Sequence, residues 1–176
     1  MFRKKPYLIA EVGSNHLGDL KLCISSIKQA KKAGADCVKF QLFDETNLVN
    51  QKMKIYKHVK DKKLSYQYER FKKVKISLDI VKKLSKISKE NKIDFCVTPF
   101  DPGYVKNLTR YIKFFKVASG DLNNIPLLKE ISKTKKKVVI STGMSTLEEV
   151  KHAISFFNKK NVTLLHCISC YPTKNK

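Results

Sequence analysis

Six short apolar runs, each followed by a longer polar or amphipathic stretch, restrict what this chain can fold into more than any other feature. The runs cover residues 7–12, 37–43, 93–98, 112–118, 138–141 and 162–166. Between them the apolar spacing changes to that of helices. Asp19 is placed to cap a helix whose apolar face carries Leu20, Cys23, Ile27 and Ala30 and which Gly34 ends. Ser77 starts another, with Ile80, Val81, Leu84 and Ile87 on one face. A short helix is expected over 102–111, and Pro126 suits the first turn of the next. Ser145-Thr146-Leu147-Glu148 has the spacing of a capping box for a helix over 147–157.

Strict alternation of strand and helix implies parallel strands joined by right-handed crossovers. An open doubly wound sheet and a closed (β/α)8 barrel both satisfy it. A dinucleotide-binding open sheet carries Gly-x-Gly-x-x-Gly after its first strand. This chain has Gly13-Ser14-Asn15-His16-Leu17-Gly18, which lacks the middle glycine. The barrel is the better reading. Residues 44–76 are long, polar and lysine-rich, with tyrosines at 56, 66 and 68. Without Pro, Gly or Ser enrichment they read as an excursion containing some helix, not as a linker.

The formal net charge of +22 invites a nucleic-acid or membrane partner, but only three of 37 basic residues are arginines (Arg3, Arg70, Arg110). Nucleic-acid readers rely on arginine for bidentate contacts, and these lysines are spread along the whole chain. No nucleic acid and no membrane partner is therefore expected. No apolar run approaches the ~20 residues of a membrane span. The start of the chain is too soon interrupted by Glu11 to be a signal peptide, so a cytoplasmic location is expected. Five cysteines form no disulfide framework; Cys167-Ile168-Ser169-Cys170 is a single CxxC, which reads as two incidental thiols.

What ends each strand is more informative. Glu11, Lys39 with Gln41, Thr98, Lys116 with Ser119, Ser141, and His166 with Ser169 stand at or just beyond the six C-terminal ends. Buried parallel strands are otherwise near-continuous apolar runs. Placing charged and hydroxyl groups there costs desolvation unless they converge on a polar ligand. In a barrel those ends share one face, where active sites sit. Lys39 and Lys116 interrupt apolar runs, and an anionic ligand would pair them. Thr98, Ser119, Ser141 and loop amides after the fourth and fifth strands suit a phosphate or carboxylate, and Gln41 suits a neutral polar substrate such as a sugar.

Residues 9–19 (IAEVGSNHLGD) resemble the opening of the sialic acid synthase family. So do AGAD at 33–36 with VKFQ at 38–41, SYQYE at 65–69, TPFD at 98–101, KVASGD at 116–121, STGM at 141–144 and HCISCYPT at 166–173. They occur in family order along essentially the whole chain. The resemblance implies a (β/α)8 TIM barrel in which Lys39, Thr98, Lys116, Ser119, Ser141 and Ser169 hold phosphoenolpyruvate. Ser169 falls where several bacterial members have asparagine. Gln41 and Tyr171 match positions near the sugar. Glu11 matches an acidic residue near the reacting centre, and Asp121 falls where some members carry glutamate. The implied reaction condenses phosphoenolpyruvate with N-acetylmannosamine or a related N-acylated amino sugar, with a divalent metal (manganese or magnesium) as Lewis acid. Intact members are expected to be homodimers.

A barrel of this type runs to ~250 residues. Residues 1–176 are therefore expected to be a partial catalytic domain, truncated after about six strands, without the last two βα units, the family's metal-binding histidines and its C-terminal antifreeze-like domain. Little or no activity is expected of the chain alone. Two other readings stand beside this one. The chain could be a non-enzymatic fragment that assembles with a chain supplying the other strands. It could also be a different phosphate-binding barrel, a lyase or epimerase. A Schiff-base lysine trapped by borohydride would mark an aldolase.

Overall fold

A computed structural model describes residues 5–55, 64–170 and 173, and the chain divides into two units, Met1–Phe95 and Cys96–Lys176. The first contains β1 (Ile9–Glu11), α1 (Leu20–Lys32), β2 (Cys37–Leu42), α2 (Glu45–Leu48), α3 (Gln67–Val74), α4 (Leu78–Glu90) and the start of β3 (Asp94–Pro99). β1 and β2 are parallel, with Ile9 opposite Cys37 and Glu11 opposite Lys39. Asp19 caps α1 as expected, its carboxylate accepting from the amides of Lys21 and Leu22. Ser77 caps α4 through the amide of Ile80. The apolar faces of α1 and α4 pack on each other, with Cys23, Ile27, Val81 and Leu84 fully buried. Phe40 of β2 meets Phe95 at 5.8 Å between ring centroids.

The excursion does contain helix. Glu45 of α2 is 3% exposed, and its two carboxylate oxygens lie 2.8 and 2.7 Å from the Lys75 ammonium just past α3. A buried carboxylate is tolerated because that cation meets it.

The loop after β1 is pinned by Gly18 and by the buried His16. Gly18 has φ +78°, and a Cβ there would stand 2.6 Å from the Lys73 carbonyl oxygen. Gly34 has φ +84° but open space where its Cβ would be. Gly18→Ala is expected to lose roughly 3 kcal/mol, strain and backbone collision together. Gly34→Ala should lose only about 1 kcal/mol, the strain alone. Urea denaturation of both variants checks this, and equal losses would contradict the collision.

His16 is 2% exposed, its Nδ1 accepts from the Gly18 amide at 3.0 Å, and its ring lies 5.9 Å from that of Phe40. A neutral ring with Nδ1 accepting carries its proton on Nε2. Burial lowers its pKa below 6.5, partly opposed by a hydrogen bond to the Gly13 backbone. Between the folded pKa and 6.5 the unfolded chain therefore binds more protons. The stabilisation from His16 is fully present above pH 6.5 and is lost as the pH falls through the folded value. Urea midpoints between pH 7.5 and 5 should fall in the wild type and fall less in His16→Gln.

The second unit holds the rest of β3, then α5 (Val105–Leu108), β4 (Phe115–Val117), α6 (Ile125–Lys133), β5 (Val138–Ser141), α7 (Leu147–Ser155) and β6 (Val162–Leu165). β3, β4, β5 and β6 pair in that order, all parallel. Leu127, Leu128 and Ile131 of α6 are fully buried, as are Phe115, Val138 and Ile140 of the strands.

Three local expectations need correction. Residues 102–111 do not form one helix: Asp101 caps a 3-10 turn at Pro102–Tyr104, and α5 adds four residues. The capping box of α7 is Thr146 with Glu149, one residue later than expected, and α7 ends at Ser155. The first and fourth strands are shorter than their apolar runs, three residues each.

Candidate active site

Parallel register builds the group in the first unit. Glu11 stands opposite Lys39 across β1 and β2, so their side chains share a face, and the two form an ion pair. Gln41 lies two residues beyond Lys39, on that same face by strand periodicity. Its Nε2 donates to Glu11 Oε1 at 3.3 Å. The Lys39 side chain is 12% exposed and that of Glu11 42%, so the cation is sunk and the carboxylate faces outward. Lys39 was expected to await an anionic ligand. The neighbouring strand supplies the first anion, and the arrangement puts a carboxylate, an ammonium and an amide side by side.

Lys116 anchors the group in the second unit. It stands opposite Val139, two residues before Ser141, so Lys116 and Ser141 lie on one face with Ser141 nearer the strand ends. Lys116 is 6% exposed, and its Nζ donates to Ser141 Oγ and to the Val117 carbonyl, both at 2.6 Å. Both contacts are to neutral oxygens. Beyond β4 the chain turns through a 3-10 segment, Ser119–Asp121. Ser119 Oγ accepts from the Gly143 amide at 3.1 Å. A Cβ on Gly143 would stand 2.6 Å from Ser169 Oγ, 2.9 Å from Ser119 Oγ and 3.3 Å from the Cys167 carbonyl oxygen. The absence of that carbon lets both hydroxyls pack against Gly143, Ser119 Oγ taking its amide hydrogen. Thr98, at the end of β3, is 1% exposed.

Asp121 follows on the same turn. Burial raises its pKa above 3.8, opposed by the hydrogen bond from Asn124 at 3.3 Å and the charge of Lys116. A carboxyl held in this way takes and returns protons more readily than an ordinary surface aspartate.

Tyr171 and His58 lie outside the described residues. His16 is in the core, while His166 and His152 are exposed. Ser169 is exposed as a residue although its hydroxyl faces Gly143. Among the described residues no three His, Cys, Asp or Glu side chains gather as a metal would require. Also among them, no helix is long and apolar enough to cross a membrane. Gly143 was not singled out as a site residue. Its signal was present: a glycine two residues past a strand end, in a motif with Ser141 and Thr142.

The family model described as the NeuB family matches residues 26–176. Over 177 residues the chain is 39% identical to an N,N'-diacetyllegionaminic acid synthase of Campylobacter jejuni, covering 96% of this chain and 53% of that protein. It is 34% identical to an N-acetylneuraminate-9-phosphate synthase of Drosophila melanogaster, covering 97% and 47%. Among solved structures it is similar to an N-acetylneuraminic acid synthetase from Leptospira borgpetersenii in complex with citrate. That likeness has TM-score 0.82 and 30% identity, over 96% of this chain and 56% of the other. A truncated 3-deoxy-D-arabino-heptulosonate 7-phosphate synthase from Thermotoga maritima, at TM-score 0.63 and 10% identity, shares the fold alone. The chain spans about half the length of the curated relatives it matches.

Proposed function

The chain belongs to the NeuB family, with the α/β fold of its (β/α)8 barrel, and on that premise we propose that it carries the phosphoenolpyruvate-binding and sugar-facing residues of a nonulosonic acid synthase. The reaction joins phosphoenolpyruvate to N-acetylmannosamine or a related N-acylated amino sugar and releases phosphate. The observation that carries the reading is the group in the second unit. A nearly buried lysine that donates to Ser141 Oγ and to the Val117 carbonyl stands at a strand end, in the same unit as Gly143 with the Ser119 and Ser169 hydroxyls packed around it. Such a set of donors matches an anion with several oxygens.

In this reading Lys116, Ser119, Ser141 and Ser169, around Gly143, hold phosphoenolpyruvate together with Thr98, and Lys39 keeps the phosphoenolpyruvate role that the family resemblance implies. Gln41 and Tyr171 face the sugar. The enol carbon attacks the open-chain aldehyde, and Asp121 gives the proton that the aldehyde oxygen gains. Water then adds to the cationic carbon, Glu11 takes its proton, and phosphate leaves from the tetrahedral intermediate. The protein's part is positioning and charge stabilisation. The divalent metal proposed for the intact enzyme supplies a Lewis acid when bound. Among the described residues no three His, Cys, Asp or Glu side chains gather to hold it.

A fusion of residues 1–176 to the remaining half of the Campylobacter jejuni relative tests this. With manganese it should release phosphate only when phosphoenolpyruvate and an N-acylated amino sugar are both present, whereas the chain alone should release none. A fusion that stays inert while the relative is active, or that needs only one substrate, would sink the proposal.

A second reading, assembly with another chain that supplies further strands, is favoured by the apolar surface around β6. Leu164 is 44% exposed, Leu147 63% and Met144 75%, around a cavity of about 770 Å³. Parallel strands are ordinarily covered on both faces. Co-purification with a chain bearing those strands checks it.

A further inference from the structure

We propose that Cys167 and Cys170 form a thiol–disulfide exchange site for small disulfides of the glutathione class, and that closing their bridge withdraws Ser169 from Gly143. The placement of the five cysteines carries the first half. Cys23, Cys37 and Cys96 are 0% exposed, out of reach of a soluble reagent, and burial pushes the Cys23 thiol up to about 11. Cys167 is partly exposed and Cys170 exposed, and neither is in a disulfide. They lie in the loop that leaves β6, with only Ile168 and Ser169 between them.

That loop already turns back on itself, because the Cys170 amide donates to the Ile168 carbonyl at 2.9 Å. Ile168 at its apex is 63% exposed and has no core to hold it. A disulfide needs Cα atoms about 4.4–6.8 Å apart, a span that a turn over two intervening residues can reach.

The second half follows from what the ring would enclose. Ser169 Oγ and the Cys167 carbonyl are two of the three nearest atoms to the missing Cβ of Gly143. Ser169 lies inside the ring and Cys167 at its end, so tightening the turn moves both contacts together. The other use of such a pair, with His166 as a third metal ligand, has no support, since no group of three gathers among the described residues.

The chemistry balances with the external disulfide as oxidant. The more exposed thiolate, that of Cys170, attacks the disulfide, forming a mixed disulfide and expelling one small thiolate. The Cys167 thiolate then attacks the Cys170 sulfur, forming the internal bridge and expelling the second. Two protein thiols are oxidised, one small disulfide is reduced, and the two protons leave with the two small thiols.

The affinity arm of the test rests on the proposed phosphoenolpyruvate site; the mass and NMR arms do not. The purified, isotopically labelled chain is equilibrated in oxidising glutathione buffer and followed by intact mass, peptide mapping and the NMR signals of Ser169 and of the Gly143 α-protons. The expected result is loss of two hydrogens, a mapped Cys167–Cys170 bridge, loss of the close contact between the Ser169 side chain and the Gly143 α-protons, and phosphoenolpyruvate affinity lower by about tenfold, the scale of one lost charge-assisted contact. Dithiothreitol should reverse all of it, and Cys170→Ser should show none of it. The proposal is overturned if both thiols stay reduced, if oxidation stops at a mixed adduct, or if the bridge forms and the Ser169–Gly143 contact is unchanged. Uptake of one zinc ion per reduced chain through these thiols would overturn it as well. Should the reduced chain fail to bind phosphoenolpyruvate, the functional reading fails, while mass and NMR still decide this one.

Discussion

Replacing Lys116 with methionine is expected to weaken phosphoenolpyruvate binding by roughly 100-fold while leaving the fold intact, because that ammonium is the most deeply sunk charge in the second unit's site. Its Nζ donates to Ser141 Oγ and to the Val117 carbonyl, and its charge also acts on the Asp121 carboxyl. A multiply charged ligand gains most from a cation in such surroundings, where solvent screens little. Methionine keeps the length and apolar stem, and exchanging a buried charge for an apolar side chain of similar volume is often close to neutral in stability. Calorimetric titration gives the affinity, and urea denaturation separates lost binding from lost structure. An unchanged dissociation constant in a folded Lys116→Met chain would remove Lys116 from the site.

The second large effect is expected at Gly143. Its φ is not in the left-handed region, so alanine meets no backbone penalty and the whole effect is one of space. The new Cβ would sit 2.6 Å from Ser169 Oγ and 2.9 Å from Ser119 Oγ, distances that atoms in contact do not adopt. Both hydroxyls have to swing away, and Ser119 then gives up the Gly143 amide. Gly143→Ala should therefore weaken phosphoenolpyruvate binding tenfold or more, through two donors at once. Gly143→Ala with Ser169→Gly removes the closer collision and should regain part of the stability. It should not regain the contact that Ser169 made. If Gly143→Ala binds as tightly as the wild type, the two hydroxyls are not ligand contacts.

Much of this was legible in the sequence because strands and helices carry different periodicities. The six apolar runs each gave a strand, and Asp19 and Ser77 each gave a helix start through the side-chain oxygen that caps it. Lys116 stood out because a lysine inside Phe115-Lys116-Val117 has to be held by something polar. The α7 boundary was missed because Ser145 with Glu148 and Thr146 with Glu149 offer the same spacing one residue apart. Only the extended backbone of Thr146 chooses between them.

The partner of Lys39 was missed for another reason. Register between β1 and β2 sets Glu11 opposite it, and no single strand's sequence states its register. Gly143 and Gly18 belong to the same class. What a missing Cβ makes room for depends on residues distant in the chain, Ser119 and Ser169 for one and Lys73 for the other.

The most direct test of the synthase reading is titration of phosphoenolpyruvate into the isotopically labelled chain, with backbone amide shifts followed by NMR. The account predicts saturable changes concentrated at Lys116, Ser119, Gly143 and Ser169, the strand-exit side of the second unit. No saturable change, or changes centred on Lys113, Lys136 and Lys137 at the strand entries, would show that the +22 charge merely attracts an anion and that the proposed site does not exist.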